Sequence, residues 1–208
     1  PILTLSGISL TFGGTPLLEG AELMISKGER LCLVGPSGRG KTSLLHALLG
    51  FVPLQSGSLQ VFGRARSREA DFVPLRGPLG LLFQDPVDQL FGPTVADDVA
   101  FGPRNMGQDR AQAGQLALRT LAALQLEHLA ERPVQQLSGG EQRLVALAGV
   151  LAMSPRVLLL DEPSNGLDEA SCERLFACLL DTGLPMLIAS HDQTLVQRLG
   201  TRILTLPA

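Results

Sequence analysis

Residues Gly35 to Ser43 read GPSGRGKTS, which meets the spacing G-x-x-x-x-G-K-[ST] through Gly35, Gly40, Lys41 and Thr42. Glycines so spaced let successive backbone N–H groups turn inward around phosphate oxygens. Pro36, Ser37, Gly38 and Arg39 complete the loop, and Ser43 closes it. Lys41 is placed to reach the outer phosphates and Thr42 to offer its hydroxyl to Mg²⁺. Such a loop needs a strand before it and a helix after it. Arg30 to Val34 is a short apolar strand, and Leu44, Leu45, Leu48 and Leu49 recur at helical spacing up to Gly50.

Carboxylates follow much later, in RVLLLDEP, Arg156 to Pro163. An apolar strand ending in Asp161 sets an acid at the carboxyl edge of a sheet, as a second partner for Mg²⁺. Glu162, next to it, could orient and deprotonate an attacking water. His191, in LIASHDQ, and Gln84, in LLFQDP, also follow apolar strands. His191 at the same edge could touch a γ-phosphate, and the Gln84 amide could meet both Mg²⁺ and the lytic water. His46 and His128 have no such setting.

A second anion bed appears in LSGGEQ, Leu137 to Gln142. Ser138, Gly139 and Gly140 open a helical apolar pattern, and a helix start presents free N–H groups. One phosphate cradle is already present, so this second one requires explanation.

The elements that must position these groups are legible in outline. ILTLSGISLTF, Leu23 to Ile25, Leu59 to Phe62, Val157 to Leu160, Met186 to Ala189 and Arg202 to Leu206 pattern as strands. Ala111 to Ala130, Leu144 to Met153, Glu169 to Leu180 and Gln193 to Leu199 pattern as helices. Strand–helix alternation at both ends with a helical middle predicts a parallel α/β core carrying an insertion. The expected division is a core of about residues 1–87 and 154–208 and a helical part of about 88–153.

The 208 residues suffice for one sizeable domain, and 45% hydrophobic with 18% charged residues is a globular balance. A net charge of -3 provides no electrostatic ground for a nucleic-acid partner. No apolar run approaches the ~18 residues of a membrane span, and no secretory pattern opens the chain. Three cysteines without a C-x-x-C pair argue against a disulfide framework or zinc site.

In their order, GPSGRGKTS, FQDP, LSGGEQ, LLLDEP, SNGLD and SHD resemble the ATPase subunits of ATP-binding cassette transporters over essentially the whole chain. That family implies a P-loop NTPase (RecA-like) sheet core with an N-terminal antiparallel β part and an inserted helical subdomain. It implies ATP and Mg²⁺ as ligands. It also answers the puzzle of the second bed: Ser138, Gly139, Gly140 and Glu141 would close over ATP held by a second subunit in a head-to-tail homodimer. Phe12 matches the base-stacking position, where tyrosine is more usual. Asp168, closing SNGLD, would reach the partner's phosphate loop.

The stretch FQDPVDQLFGPTVADDVAFGPRNMG, with AGVLAM, is similar to the ATPases of energy-coupling factor importers of vitamins, cobalt and nickel. The resemblance implies that integral membrane subunits dock near Gln84 to Phe91, with exposed Leu90 and Phe91, and that the chain sits on the cytoplasmic face of the membrane. Importers of a vitamin such as biotin and soluble non-transport cassettes are the alternatives. Leu144 for the more frequent arginine, the form SNGLD, Arg39 and the lack of a C-terminal extension are departures.

Overall fold

The computed structural model describes residues 1–12, 15–36 and 38–206; the Phe12 side chain and Ser37, both expected at the nucleotide, lie outside the described residues. Among them, two sheets form. The first is antiparallel, in the order β2 (Thr15–Ile25), β1 (Leu3–Phe12), β4 (Ser56–Val61), β5 (Arg64–Arg66). The second is parallel, in the order β6 (Leu79–Leu82), β7 (Val157–Asp161), β8 (Met186–Ala189), β3 (Arg30–Val34), β9 (Arg202–Thr205).

Four of the parallel strands, β3, β6, β7 and β8, are short apolar runs because both their faces are covered, whereas the edge strand β9 is mostly exposed. Leu31, Leu33, Leu81, Leu159 and Leu187 point into one core with α1 (Lys41–Ala47) and the antiparallel sheet. Cys32, Leu82, Leu158, Leu160 and Ile188 point into the other, with α5 (Gly139–Ala152), α6 (Glu169–Asp181) and α7 (Gln193–Leu199). Registers pair Leu82 with Leu160, Asp161 with Ala189 and Leu33 with Ala189. The strands therefore end nearly flush, and the loops after β3, β6, β7 and β8 emerge at one carboxyl edge, where α/β sheets bind ligands.

The middle is helical, as expected, but is built differently in detail. α3 (Val95–Asn105) and α4 (Arg110–Ala123) pack with α5 through Val95, Val99, Ala113, Ala117, Leu121, Leu144 and Leu147. The helix read as Ala111 to Ala130 stops at Ala123. Gln125 takes φ 59° and the Leu126 N–H returns to the Leu121 carbonyl, so a left-handed residue ends the helix where no glycine marks the stop. Likewise β2 is far longer than Leu23 to Ile25, because exposed Glu19 and Gly20 interrupt its apolar pattern. The short β5 and α2 (Glu69–Phe72) carry too few apolar residues to show periodicity.

Strand β6 and helix α5 meet at Gly80, where an added Cβ would stand 2.5 Å from Val150 Cγ1 and 3.1 Å from Pro155 Cβ. Gly80→Val should thus push α5 off the sheet. The expected cost is about 1–3 kcal/mol, read as a lowered urea midpoint at unchanged m.

Candidate functional site

β3 delivers the chain to the glycine-rich loop, and Gly40 ends it at φ 82° as the N-cap of α1. The left-handed conformation suits glycine, and a Cβ there would also press on Leu17 Cβ at 3.0 Å. Lys41 is 8% exposed, and its Nζ donates to the carbonyls of Gly35 at 2.8 Å and Pro36 at 3.1 Å. Both hydrogen-bond partners are neutral carbonyls, and the Lys41 charge acts on the nearby Asp161 carboxylate.

Asp161 ends β7, 2% exposed, and its Oδ1 is buried without a hydrogen-bond partner. Burial raises its pKa, the neighbouring Thr42 hydroxyl lowers it, and the Glu162 charge raises it again. An orphaned carboxylate oxygen beside a hydroxyl is the donor set of a hard cation. No group of three or more His, Cys, Asp or Glu side chains able to hold a metal occurs among the described residues. Such an ion would draw its other ligands from neutral oxygens such as a side-chain amide, from phosphate and from water.

Glu162 has φ 44°, an outlier for a residue with a Cβ. Its N–H donates to the Ala189 carbonyl at 2.8 Å. Its Oε2 accepts from Ser190 Oγ at 3.1 Å and from the His191 N–H at 3.2 Å, and its Oε1 lies 2.9 Å from His191 Nδ1. The ends of β7 and β8 thus bring together Glu162, expected to act on water, and His191, expected to touch a γ-phosphate. The His191 side chain stays largely exposed.

Gln84, exposed, lines a cleft of about 440 Å³ with Thr42, His46, Asp161, Arg143 and Asn165. His46 has a place here that its sequence context did not reveal: it stacks edge-on with Phe51 and Phe83. The following turn is held by two side chains that sequence reading missed. Gln89 accepts from the Phe83 N–H and donates to the Leu81 carbonyl. Asp98, buried on α3, accepts the N–H groups of Phe91 and Gly92 on one oxygen, at 2.8 and 2.7 Å. The turn exposes Val87 and Phe91, with Phe91 edge-on to the half-exposed Phe101 at 4.6 Å. Leu90 corrects the expectation of exposure. Its N–H returns to the Pro86 carbonyl in a tight turn, and its side chain packs on the core. A groove of about 690 Å³ runs past Phe91, Phe101 and Met106 to Val73 and Phe51.

Ser138 caps α5. Its Oγ accepts from the Glu141 N–H at 3.3 Å, and Glu141 Oε2 accepts from the Ser138 N–H at 2.7 Å. Glu141 is therefore committed to a capping box and to Arg132 at 3.5 Å. A Cβ on Gly140 would lie 2.6 Å from Ser171 Oγ, whereas one on Gly139 would meet nothing within 4 Å. Asp168 caps α6 by accepting from the Ser171 N–H at 2.7 Å. The two glycine-rich helix starts belong to opposite faces of the parallel sheet, α1 to one core and α5 to the other.

The family model described as ABC transporter matches residues 18–165. The chain belongs to the ABC transporter family. The cassette is 45% identical over 205 residues to an uncharacterized ABC transporter ATP-binding protein of Haemophilus influenzae, spanning 99% of this chain and 94% of that one. It is 41% identical over 208 residues to the cobalt import ATP-binding protein CbiO of Rhodobacter capsulatus, spanning 98% and 74%. The structure of cbiO1 from Clostridium perfringens, part of the ABC transporter complex cbiONQ, superposes with a TM-score of 0.88 at 31% identity, covering 98% and 84%. The cassette is accordingly the ATP-binding subunit of a transporter and an ATPase. No helix of the described residues is long and apolar enough to cross a membrane.

The capping box at the start of α5 makes stability depend on pH. The Ser138 backbone bond holds the Glu141 carboxyl below the usual carboxylate range. Its contribution is full above the unfolded pKa of about 4.3 and fades as pH falls through the lower folded value. Glu141→Gln keeps an acceptor for the box but loses the charge at the helix start, and should cost about 0.3–1 kcal/mol of stability at pH 7. In urea melts, the gap to wild type should close below about pH 4.

Proposed function

We propose that this cassette hydrolyses ATP in a head-to-tail homodimer and drives a membrane importer of the energy-coupling factor type, for cobalt or nickel ions. The observation that carries the dimer is the pair of glycine-rich helix starts on opposite faces of one sheet. Gly139 adds to it. Its side-chain space is open within its own chain, so an approaching partner is what requires a glycine there. In an isologous pair each subunit contributes both halves, and two complete sites result.

Each site then works as follows. Gly35 to Ser43 wraps the phosphates, and Lys41 exchanges its carbonyl partners for the β- and γ-phosphates. Thr42, Asp161 and Gln84 would hold Mg²⁺, which would withdraw charge from the phosphates. Glu162 takes a proton from water as the water oxygen bonds to the γ-phosphorus and the bond to the bridging oxygen of ADP breaks. His191, 2.9 Å from Glu162, steadies that carboxylate and faces the γ-phosphate. Ser138 and Gly139 of the partner close the site, with the partner's Asp168 loop beside the phosphate loop.

The groove beside Gln84 to Phe91 seats a helix of an integral membrane subunit, and the cassette lies on the cytoplasmic face of the membrane. Exposed Val87, Phe91 and Phe101 favour that reading. The ion class rests on the relationship to the cobalt import protein. Copurification of membrane subunits with the tagged cassette, followed by cobalt and nickel uptake in vesicles, tests both.

Glu162→Gln should bind ATP normally, hydrolyse it ~10²-fold or more slowly, and accumulate as an ATP-bound dimer in light scattering. Turnover at the wild-type rate would remove Glu162 as the base.

Gly139→Asp should abolish hydrolysis by repelling a γ-phosphate while still binding labelled ATP on its own loop. Mixed with Lys41→Ala, it should regain activity that neither has alone, because one site of the mixed dimer is intact. Loss of nucleotide binding by Gly139→Asp would show that the glycines serve their own chain.

A further inference from the structure

Arg143, on the second turn of α5, is 4% exposed, although a cation is costly to bury. Its Nη1 donates to the Phe83 carbonyl at 3.1 Å and its Nη2 to the Asn165 carbonyl at 3.2 Å. The first acceptor immediately precedes Gln84, and the second lies in the loop between Glu162 and Asp168. Both are backbone atoms of loops distant in sequence. The side chain therefore fixes where the chain runs rather than neutralising one particular neighbour. Burial lowers its pKa while Asp85, in the Gln84 turn, and Asp161, at the end of β7, raise it, so two nearby acids favour the charged form. A methionine of similar volume would pack there with less desolvation. What it could not supply is a rigid planar fork holding two carbonyls at one spacing.

We infer that Arg143 is a positioning residue that clamps the Gln84 turn and the Asn165 loop to the signature helix. The Asn165 N–H also donates to the Glu162 carbonyl at 3.1 Å, so the clamp reaches the strained peptide of Glu162 itself. On the other side, Ser164 Oγ donates to Asp192 Oδ2 at 2.7 Å. The loop after Glu162 is thereby held from α5 and from the start of α7 at once. A shift of α5 is passed to Gln84 and to Glu162 through one guanidinium. The inference rests on the proposed roles of these two residues.

Arg143→Lys and Arg143→Met test it, through ATPase kinetics and amide hydrogen exchange on the full chain. A lysine can span only one of the two carbonyls, and a methionine neither. Both variants should keep the KM for ATP within about twofold and lose about tenfold or more in kcat. Exchange should quicken in residues 83–92 and 163–168 while residues 44–51 keep their wild-type rates. A kcat within twofold of wild type in either variant, or unchanged exchange in both loops, overturns the inference. Exchange that rises uniformly along the chain overturns it too, because it marks general packing. The Glu162→Gln variant run in parallel separates the two readings. Turnover by that variant at the wild-type rate would sink the proposed base, whereas the exchange pattern judges the clamp on its own.

Discussion

A parallel strand covered on both faces must send alternate side chains into two different cores, and β7 obeys this strictly. Val157 and Leu159 face the layer of α1, and Leu158 and Leu160 face the layer of α5. The next residue in that alternation, Asp161, falls at the strand end and stays 2% exposed. Burial and the Glu162 charge push the Asp161 pKa up, and the Thr42 hydroxyl and the Lys41 charge work against that rise. Slipping the register of β7 by one residue would exchange both cores and remove the acid from the edge. The placement of each glycine-rich helix start, and the flush set of loops between them, follows from the same alternation.

Glu162 shows what the edge demands of the backbone. A φ of 44° costs on the order of 1–3 kcal/mol for a residue with a Cβ. The conformation persists because several bonds fix it, from the Ala189 carbonyl on one side and from Ser190 and His191 on the other. Such a carboxylate arrives at its place already oriented, with little left to reorganise.

Much of this was legible in the sequence, for reasons particular residues make plain. GPSGRGKTS and LLLDEP could be read because phosphate and metal chemistry restrict both residue type and spacing. The apolar strands of the parallel sheet could be read because burial on two faces leaves no polar interruption. The long β2 was missed because an edge strand tolerates exposed positions. The end of α4 was missed because Gln125 adopts a left-handed conformation that glycine usually announces. Arg143, Gln89 and Asp98 were missed for a different reason. Each bonds to backbone groups of another segment, and a backbone acceptor leaves no trace in residue types. Glu141, read as a nucleotide contact, is occupied by its own helix cap.

That cap has a consequence for the hydroxyl of Ser138. A serine oxygen has two lone pairs and a single proton. Accepting from the Glu141 N–H uses a lone pair and fixes the side-chain rotamer, while the proton takes no part. The helix thus anchors the oxygen and leaves the O–H free to donate away from it. Threonine would retain this division of labour, whereas aspartate would cap the same N–H with no proton left to give and a negative charge in its place. The hydroxyl is a cap to its own chain and a donor to whatever approaches from outside.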